Sequence, residues 1–175
     1  RLLISANVGI FRRFRKKRLH LLLIEPLQAH IAMKKIIGIG NALTDMLINL
    51  DNDSRLAEMN LARGSMSLVD SELQRQISAS VATLPTTMSP GGSAANTIRA
   101  CLGSSVGYIG KVGEDAAGDF YERALDDLGI EPVVFRGRDN SGRCLALVSP
   151  DGERTMVTYL GAALELVPEE LSASI

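Results

Sequence analysis

Tryptophan is absent, and aromatic residues make up only 4% of the 175 positions. So few rings argue against a platform that stacks nucleic-acid bases. Cysteine is scarce as well: Cys101 and Cys144 have neither metal-ligand spacing nor a C-x-x-C arrangement. Each sits in an apolar run, which reads as a small buried hydrophobe compatible with a reducing cytoplasm. No apolar run reaches the roughly 20 residues that a membrane-spanning helix needs. Two phosphate-binding glycine motifs fail. Gly38-Ile39-Gly40 lacks the third glycine of the dinucleotide fingerprint, because Leu43 stands there. Gly110-Lys111 lacks the first glycine and the hydroxyl residue of a P-loop, because Ser105 and Val112 stand there.

What is present is a chain 46% hydrophobic with a net charge of −1, enough for one core or one domain with a small appendage. The neutral total hides an asymmetry. Residues 1–32 carry seven basic side chains and one acid, and the remainder carries 12 basic and 19 acidic. Such a jump marks a boundary. The basic run Phe11 to Arg18 precedes a short apolar stretch, Leu19 to Ile24. A targeting peptide, a membrane-surface helix and a nucleic-acid arm are its functional readings. Met33-Lys34-Lys35 before an apolar strand is a natural start, so residues 1–32 are expected to be an extension outside the fold.

From Lys35 the pattern is α/β. A short buried strand over Lys35–Gly40 leads into a second, alternating one that holds Asp45. A short helix follows over Asp53–Asn60, then a strand over Gly64–Val69. Asp70 is placed to cap a helix over Ser71–Thr83, with Leu73, Ile77 and Val81 on its inner face. Ser105–Ile109 reads as a strand, Gly110–Asp115 as a turn and Ala116–Leu128 as a helix. Strands over Ile130–Phe135, Arg143–Ser149 and Thr155–Leu160 come next, the last two joined by the Pro150-Asp151-Gly152 turn. A helix starts at Pro168. The strand–helix alternation favours a parallel sheet, and the extra strands suggest a flap beside it.

Ser89-Pro-Gly-Gly-Ser-Ala-Ala-Asn96 is the most informative stretch. Gly91 and Gly92 strip one piece of backbone of side chains. Ser93 reads as the N-cap of a helix over Ala94–Leu102, and Asn96 offers a donor and an acceptor on its first turn. The stretch suits either a pocket floor for a hydroxyl-rich or anionic ligand, or a plain turn before a capped helix. Asp45, an acid between Thr44 and the apolar Met46-Leu47-Ile48, either binds a partner or faces solvent from an alternating strand.

Five pieces in order resemble the ribokinase-like, or PfkB, family of carbohydrate and nucleoside kinases. They are Gly38–Asp45, Gly91–Asn96, Gly110–Gly118, Gly142-Arg143-Cys144 and Asp151–Thr155, spread over Met33 to about Pro168. The resemblance is nearest to the adenosine-kinase and sugar-kinase branches. It implies a Rossmann-like α/β/α three-layer domain, here partial, with a small β-sheet lid, over residues 33–175. A sugar or nucleoside would lie between the two and receive the γ-phosphate of ATP with Mg²⁺. Asp45 would hold sugar hydroxyls from the lid side. Gly91 and Gly92 would let the sugar lie against the backbone, and Asn96 would bond a hydroxyl from below. Asn41 would be a neighbour of the ligand, and Arg154 matches an arginine that reaches toward the active site. The family's catalytic Gly-Ala-Gly-Asp turn and its ATP site belong to a C-terminal half. Ala116-Ala117-Gly118-Asp119 imitates that turn, but Asp119 reads as a helix residue, so no catalytic residue and no metal ligand is assigned. A homodimer through lid strands is the assembly the resemblance allows, with no nucleic-acid or membrane partner.

Two other readings compete: a non-catalytic sugar-binding or dimerisation module of the same fold, and a nucleic-acid binder that uses residues 11–18. Positioning both substrates and the charge clamps is most of phosphoryl-transfer catalysis. The purified 175-residue chain is therefore expected to show no ATP-dependent phosphorylation of adenosine or ribose. A radiolabelled-phosphate transfer assay that detects product overturns this expectation.

Overall fold

The computed structural model describes residues 35–172 and residue 174; the basic run Phe11–Arg18 and the rest of residues 1–32 lie outside them. The elements are β1 (Ile36–Ile39), β2 (Leu43–Asn49), α1 (Ser54–Glu58), β3 (Met66–Leu68), α2 (Ser71–Ser80) and β4 (Thr86–Gly91). After these come α3 (Ser93–Ala100), β5 (Val106–Gly113), α4 (Ala116–Asp127), β6 (Glu131–Gly137), β7 (Gly142–Val148) and β8 (Arg154–Tyr159). A 3₁₀ turn at Gly161–Glu165 and α5 (Pro168–Ser172) close the described chain.

Two sheets organise these elements. The first is parallel throughout, with strand order β1-β5-β6. Parallel neighbours need crossovers, and α4 supplies the one between β5 and β6. Helices α3 and α4 cover one face of this sheet, where Ile98, Tyr108, Tyr121, Leu125 and Ile130 form a buried core. On the opposite face, Lys111 from β5 is buried beneath the 3₁₀ turn and α5. Its Nζ donates to the Glu165 carbonyl at 3.0 Å and pairs with Glu170 at 2.7 Å. The fold is the α/β arrangement read from the sequence, with the lid larger than the small sheet expected. Five strands form it, in the order β3-β8-β7-β2-β4. Its outer face packs Ile48, Leu145, Leu147 and Val157 against Leu56 of α1 and Ile77 of α2, a second core distinct from the first.

Several local expectations are corrected. β1 is half-exposed and not buried, with Ile37 at 39% and Ile39 at 44% exposure. It is an edge strand, and among the described residues no helix covers its second face. β5 continues through Gly110–Gly113, which reads as a turn in sequence. Glycines suit a strand there because other backbone crowds it: a Cβ on Gly113 would lie 2.4 Å from the Asp139 carbonyl oxygen. β4 is a strand, although Pro90 and two glycines disguise it; as an edge strand it tolerates a residue without an N–H. Ser93 is the first residue of α3 and Gly92 is its N-cap, with no side-chain cap bond. In α2, Leu73 is exposed and Gln74 is buried in its place, donating to Ser78 Oγ at 3.0 Å. Asp70 caps α2 as expected, accepting from the Leu73 N–H at 2.8 Å.

Asp115 ties the two sheets together. It caps α4 by accepting from the Gly118 N–H at 2.9 Å, and accepts from the Ser141 N–H at 3.1 Å and the Ser141 hydroxyl. Arg143 of β7 reaches it at 3.4 Å. Burial pushes its carboxyl up, but the Ser141 and Gly118 donors and Arg143 outweigh this and hold it below the usual carboxylate range. A depressed folded value gives stability that is complete above the unfolded carboxyl's range and lost as pH falls through the folded value. Asp115→Ala should cost about 2–3 kcal/mol at neutral pH through the lost cap and the unpaired Ser141 donors. Urea unfolding should show this deficit shrinking as pH drops below about 4. A deficit that does not change with pH would show that the carboxylate charge is not what stabilises the junction.

Candidate acceptor site

The lid's inner face fixes the site's chemistry by strand register. Ser89 of β4 pairs with Asp45 of β2, Asp45 with Cys144 of β7, Cys144 with Thr158 of β8, and Thr158 with Leu68 of β3. Since side chains alternate along each strand, these five share one face in a single row. The row runs from polar at β4 to apolar at β3. The next row on that face ends in Met156 and Met66. Below this face lies a cleft of about 480 Å³. Its floor comes from the turn after β1 and from the first turn of α3. Asn41, Asp45, Gly92 and Asn96 all line it, which brings together four of the six sequence-predicted residues.

Asp45 is the cleft's free acceptor. Among the described residues no hydrogen bond stabilises its carboxylate: burial pushes it up from the usual carboxylate range, and the Arg99 charge pulls it partly back. Arg99, one turn along α3, also donates to Asn96 Oδ1 at 3.4 Å. That leaves the Asn96 NH₂ group as donor, so the cleft presents both an acceptor and a donor.

The two glycines have reasons in the protein itself. A Cβ on Gly91 would fall 2.1–2.2 Å from the Asp45 carboxyl atoms, so the bare backbone at 91 is where that carboxyl lies. Gly91 is buried, while Gly92 lines the cleft. Gly92 has φ +88°, and a Cβ there would meet the Asn41 carbonyl oxygen at 2.4 Å. Arg154 stands apart. It is exposed and opens β8 at the hairpin end, on the same face as Met156 and Thr158 but beyond the cleft lining. Asp119 is a helix residue of α4, paired with Arg136 at 3.1 Å. Cys144 lies in the row, but burial pushes its thiol up, so it packs as an inert hydrophobe. Cys101 is only half-buried.

Sequence reading passed over Arg99 and the apolar wall of Met66, Leu68, Met156 and Leu160. The wall was visible only as alternation in two strands whose pairing was unknown. Arg99 had a signal in its spacing, three residues after Asn96 on one helix.

Residues 64–175 match the family described as pfkB family carbohydrate kinase. The chain belongs to that family. Solved structures with the same fold include the adenosine kinase from Sinorhizobium meliloti, at 33% identity and a TM-score of 0.68, over 79% of this chain and 43% of that one. A probable sugar kinase protein from Rhizobium etli CFN 42 matches at 31% identity and a TM-score of 0.71, over 81% of this chain and 43% of that one. The adenosine kinase from Trypanosoma brucei brucei matches at 30% identity and a TM-score of 0.70, over 78% and 43%. The pfkB-family chain thus spans less than half the length of these relatives.

The glycines separate fold from site. Gly92→Ala should lose about 2–4 kcal/mol of stability, since it combines positive φ with a backbone clash. Gly91→Ala should cost much less, because the Asp45 side chain can swing away, but that swing empties the acceptor position. Asp45→Asn should raise the melting temperature at pH 7. A raised folded value means that stability is lost as pH rises through it, and the amide escapes that loss. Wild type and Asp45→Asn should converge below about pH 4. Thermal melts of the three variants across pH test all of this, and an Asp45→Asn variant less stable at pH 7 contradicts it.

Proposed function

We propose that the cleft binds a hydroxyl-rich acceptor, a sugar or a nucleoside, and that this chain is the acceptor-binding portion of an ATP-dependent phosphotransferase. The observation that carries the reading is the Asp45 carboxylate. It is half-buried at a cost, is without a hydrogen bond among the described residues, and sits in a cleft shared with Asn41, Gly92 and Asn96. A carboxylate of this kind can accept from two neighbouring hydroxyls of a diol. The Asn96 amide donates from the floor, and Gly92 offers bare backbone at the N-terminus of α3. The apolar wall supports acceptors that carry a flat base over free sugars, since Met and Leu side chains gain by covering such a surface. Arg154, on the same lid face, would approach the acceptor only if the lid moved inward.

Transfer from Mg-ATP is the activity this family membership suggests. Among the described residues no group of three or more His, Cys, Asp or Glu side chains could hold a metal ion. ATP and Mg²⁺ are placed on no residue of this chain, and no step is derived through them. What these residues do is bind, orient and cover the acceptor; a lid above it would also exclude water that could intercept a phosphoryl group. Both cysteines are free, which supports a cytoplasmic setting. No helix among the described residues is long and apolar enough to cross a membrane.

Isothermal titration with adenosine and with D-ribose tests the acceptor reading. Wild type should bind at least one. Asp45→Ala should weaken binding by about tenfold or more, the loss expected for hydrogen bonds to a charged group. Affinity should fall as pH drops through the raised carboxyl value of Asp45, at a pH above that of an ordinary aspartate, and Asp45→Asn should be weak and pH-independent. Wild type that binds neither compound overturns the proposal.

A further inference from the structure

Beneath the cleft, two fully buried tyrosines touch in a tilted arrangement, with ring centroids 5.8 Å apart and planes inclined by 55°. Tyr108 comes from β5 and Tyr121 from α4. Each hydroxyl spends its proton on one backbone carbonyl. Tyr108 Oη donates to the Gly40 carbonyl at 2.9 Å, and Tyr121 Oη donates to the Gly91 carbonyl at 2.9 Å. Gly40 and Gly91 immediately precede Asn41 and Gly92, two of the residues that line the cleft floor. From the placement of these bonds we infer that Tyr108 and Tyr121 are positioning residues for the acceptor site. This rests on the acceptor reading above.

The mechanism is peptide geometry. Described peptide bonds are all trans, so each N–H points opposite to the carbonyl before it. Anchoring the Gly40 and Gly91 carbonyls in the core therefore turns the Asn41 and Gly92 N–H groups away from the core. Among the described residues neither of those N–H groups has a hydrogen-bond acceptor in the protein. The pair thus fixes two free donors on residues that line the cleft. Tyr121 also sets the Gly91 backbone over which the Asp45 carboxyl lies. Burial pushes the Tyr108 hydroxyl up to about 12 and raises that of Tyr121 as well, with the Asp45 charge among the lesser causes. Both remain protonated donors at any working pH. Phenylalanine would fill the same core volume, so packing alone does not call for either oxygen.

Tyr108→Phe and Tyr121→Phe in the 175-residue chain remove one oxygen each. Either variant should weaken adenosine or ribose binding roughly five- to tenfold, the range for loss of one positioning hydrogen bond. In ¹⁵N spectra the Asn41 and Gly92 amide signals should shift. Tyr159→Phe is the control, because Tyr159 does not line the cleft and its hydroxyl donates to neither the Gly40 nor the Gly91 carbonyl; it should bind as wild type does. Unchanged affinity in both core variants, measured well below their melting temperatures, overturns the inference even if the variants are less stable. A second measurement needs no variant. The chain has three tyrosines, so ring-labelled wild type gives three resolvable sets of signals. Acceptor titration should move those of Tyr108 and Tyr121 more than those of Tyr159, and the reverse order overturns the inference. Wild type that binds no acceptor overturns the acceptor reading and this inference with it; wild type that binds, with unaltered Phe variants, overturns this inference alone.

Discussion

The approach of β4 to β2 at bare backbone is the contact on which the site depends. At position 92 the neighbouring chain comes so near that even a methyl group would overlap the Asn41 carbonyl oxygen, and at 91 the space is taken by the Asp45 carboxyl. These two contacts place a partly desolvated charge, a helix N-terminus and a loop of β1 around one cleft. The site is therefore built by excluding side chains as much as by supplying them. Asp45 and Asn96 give the cleft an acceptor and a donor, and its shape comes from what is missing at 91 and 92.

The same economy runs through the junction between the sheets. The chain passes from one sheet to the other several times, and polar groups hold the passages. Asp115 gathers donors from α4, from Ser141 and from Arg143, so the start of β7 is fastened to the helical layer. Thr44 of β2 donates to the Ala117 carbonyl at 3.3 Å, which fastens the lid strand that carries Asp45 to the same helix. These bonds are buried or half-buried, where the loss of one partner costs more than the bond itself contributes. Lid and core are thus coupled through α4, and not through the apolar clusters, which stay separate on either side of the junction.

Much of this was legible in the chain. Asp70 reads as a cap in the sequence and caps α2, while Asp115, read only as the end of a turn, proves to cap α4. The hairpin at Pro150-Asp151-Gly152 and the helix over 116–127 follow from turn chemistry and periodicity. What sequence reading missed was set by tertiary proximity. Gly110–Gly113 look like a turn until β6 and the Asp139 carbonyl are beside them. Pro90 and Gly91 look like a strand breaker until β4 is known to be an edge. Lys35–Gly40 look like a buried strand by composition, since burial depends on neighbours the strand itself does not specify. Asp45 and Gly92 of the cleft lining stood out in sequence because glycine pairs and lone acids are unusual in apolar surroundings. The apolar wall opposite them did not, because alternating Met, Leu and Thr look the same on any half-buried strand.

The exposed side of β1 has a practical meaning. Ile36, Ile37 and Ile39 are each about two-fifths exposed on a strand that has a hydrogen-bonded neighbour on one side only. An apolar edge without a charge or a bulge is a template on which further strands can add. Among the described residues that edge is the apolar strand most open to such addition. A lysine in place of Ile37 would put a charge on that edge without entering the cleft, whose lining includes Ile39 but not Ile37.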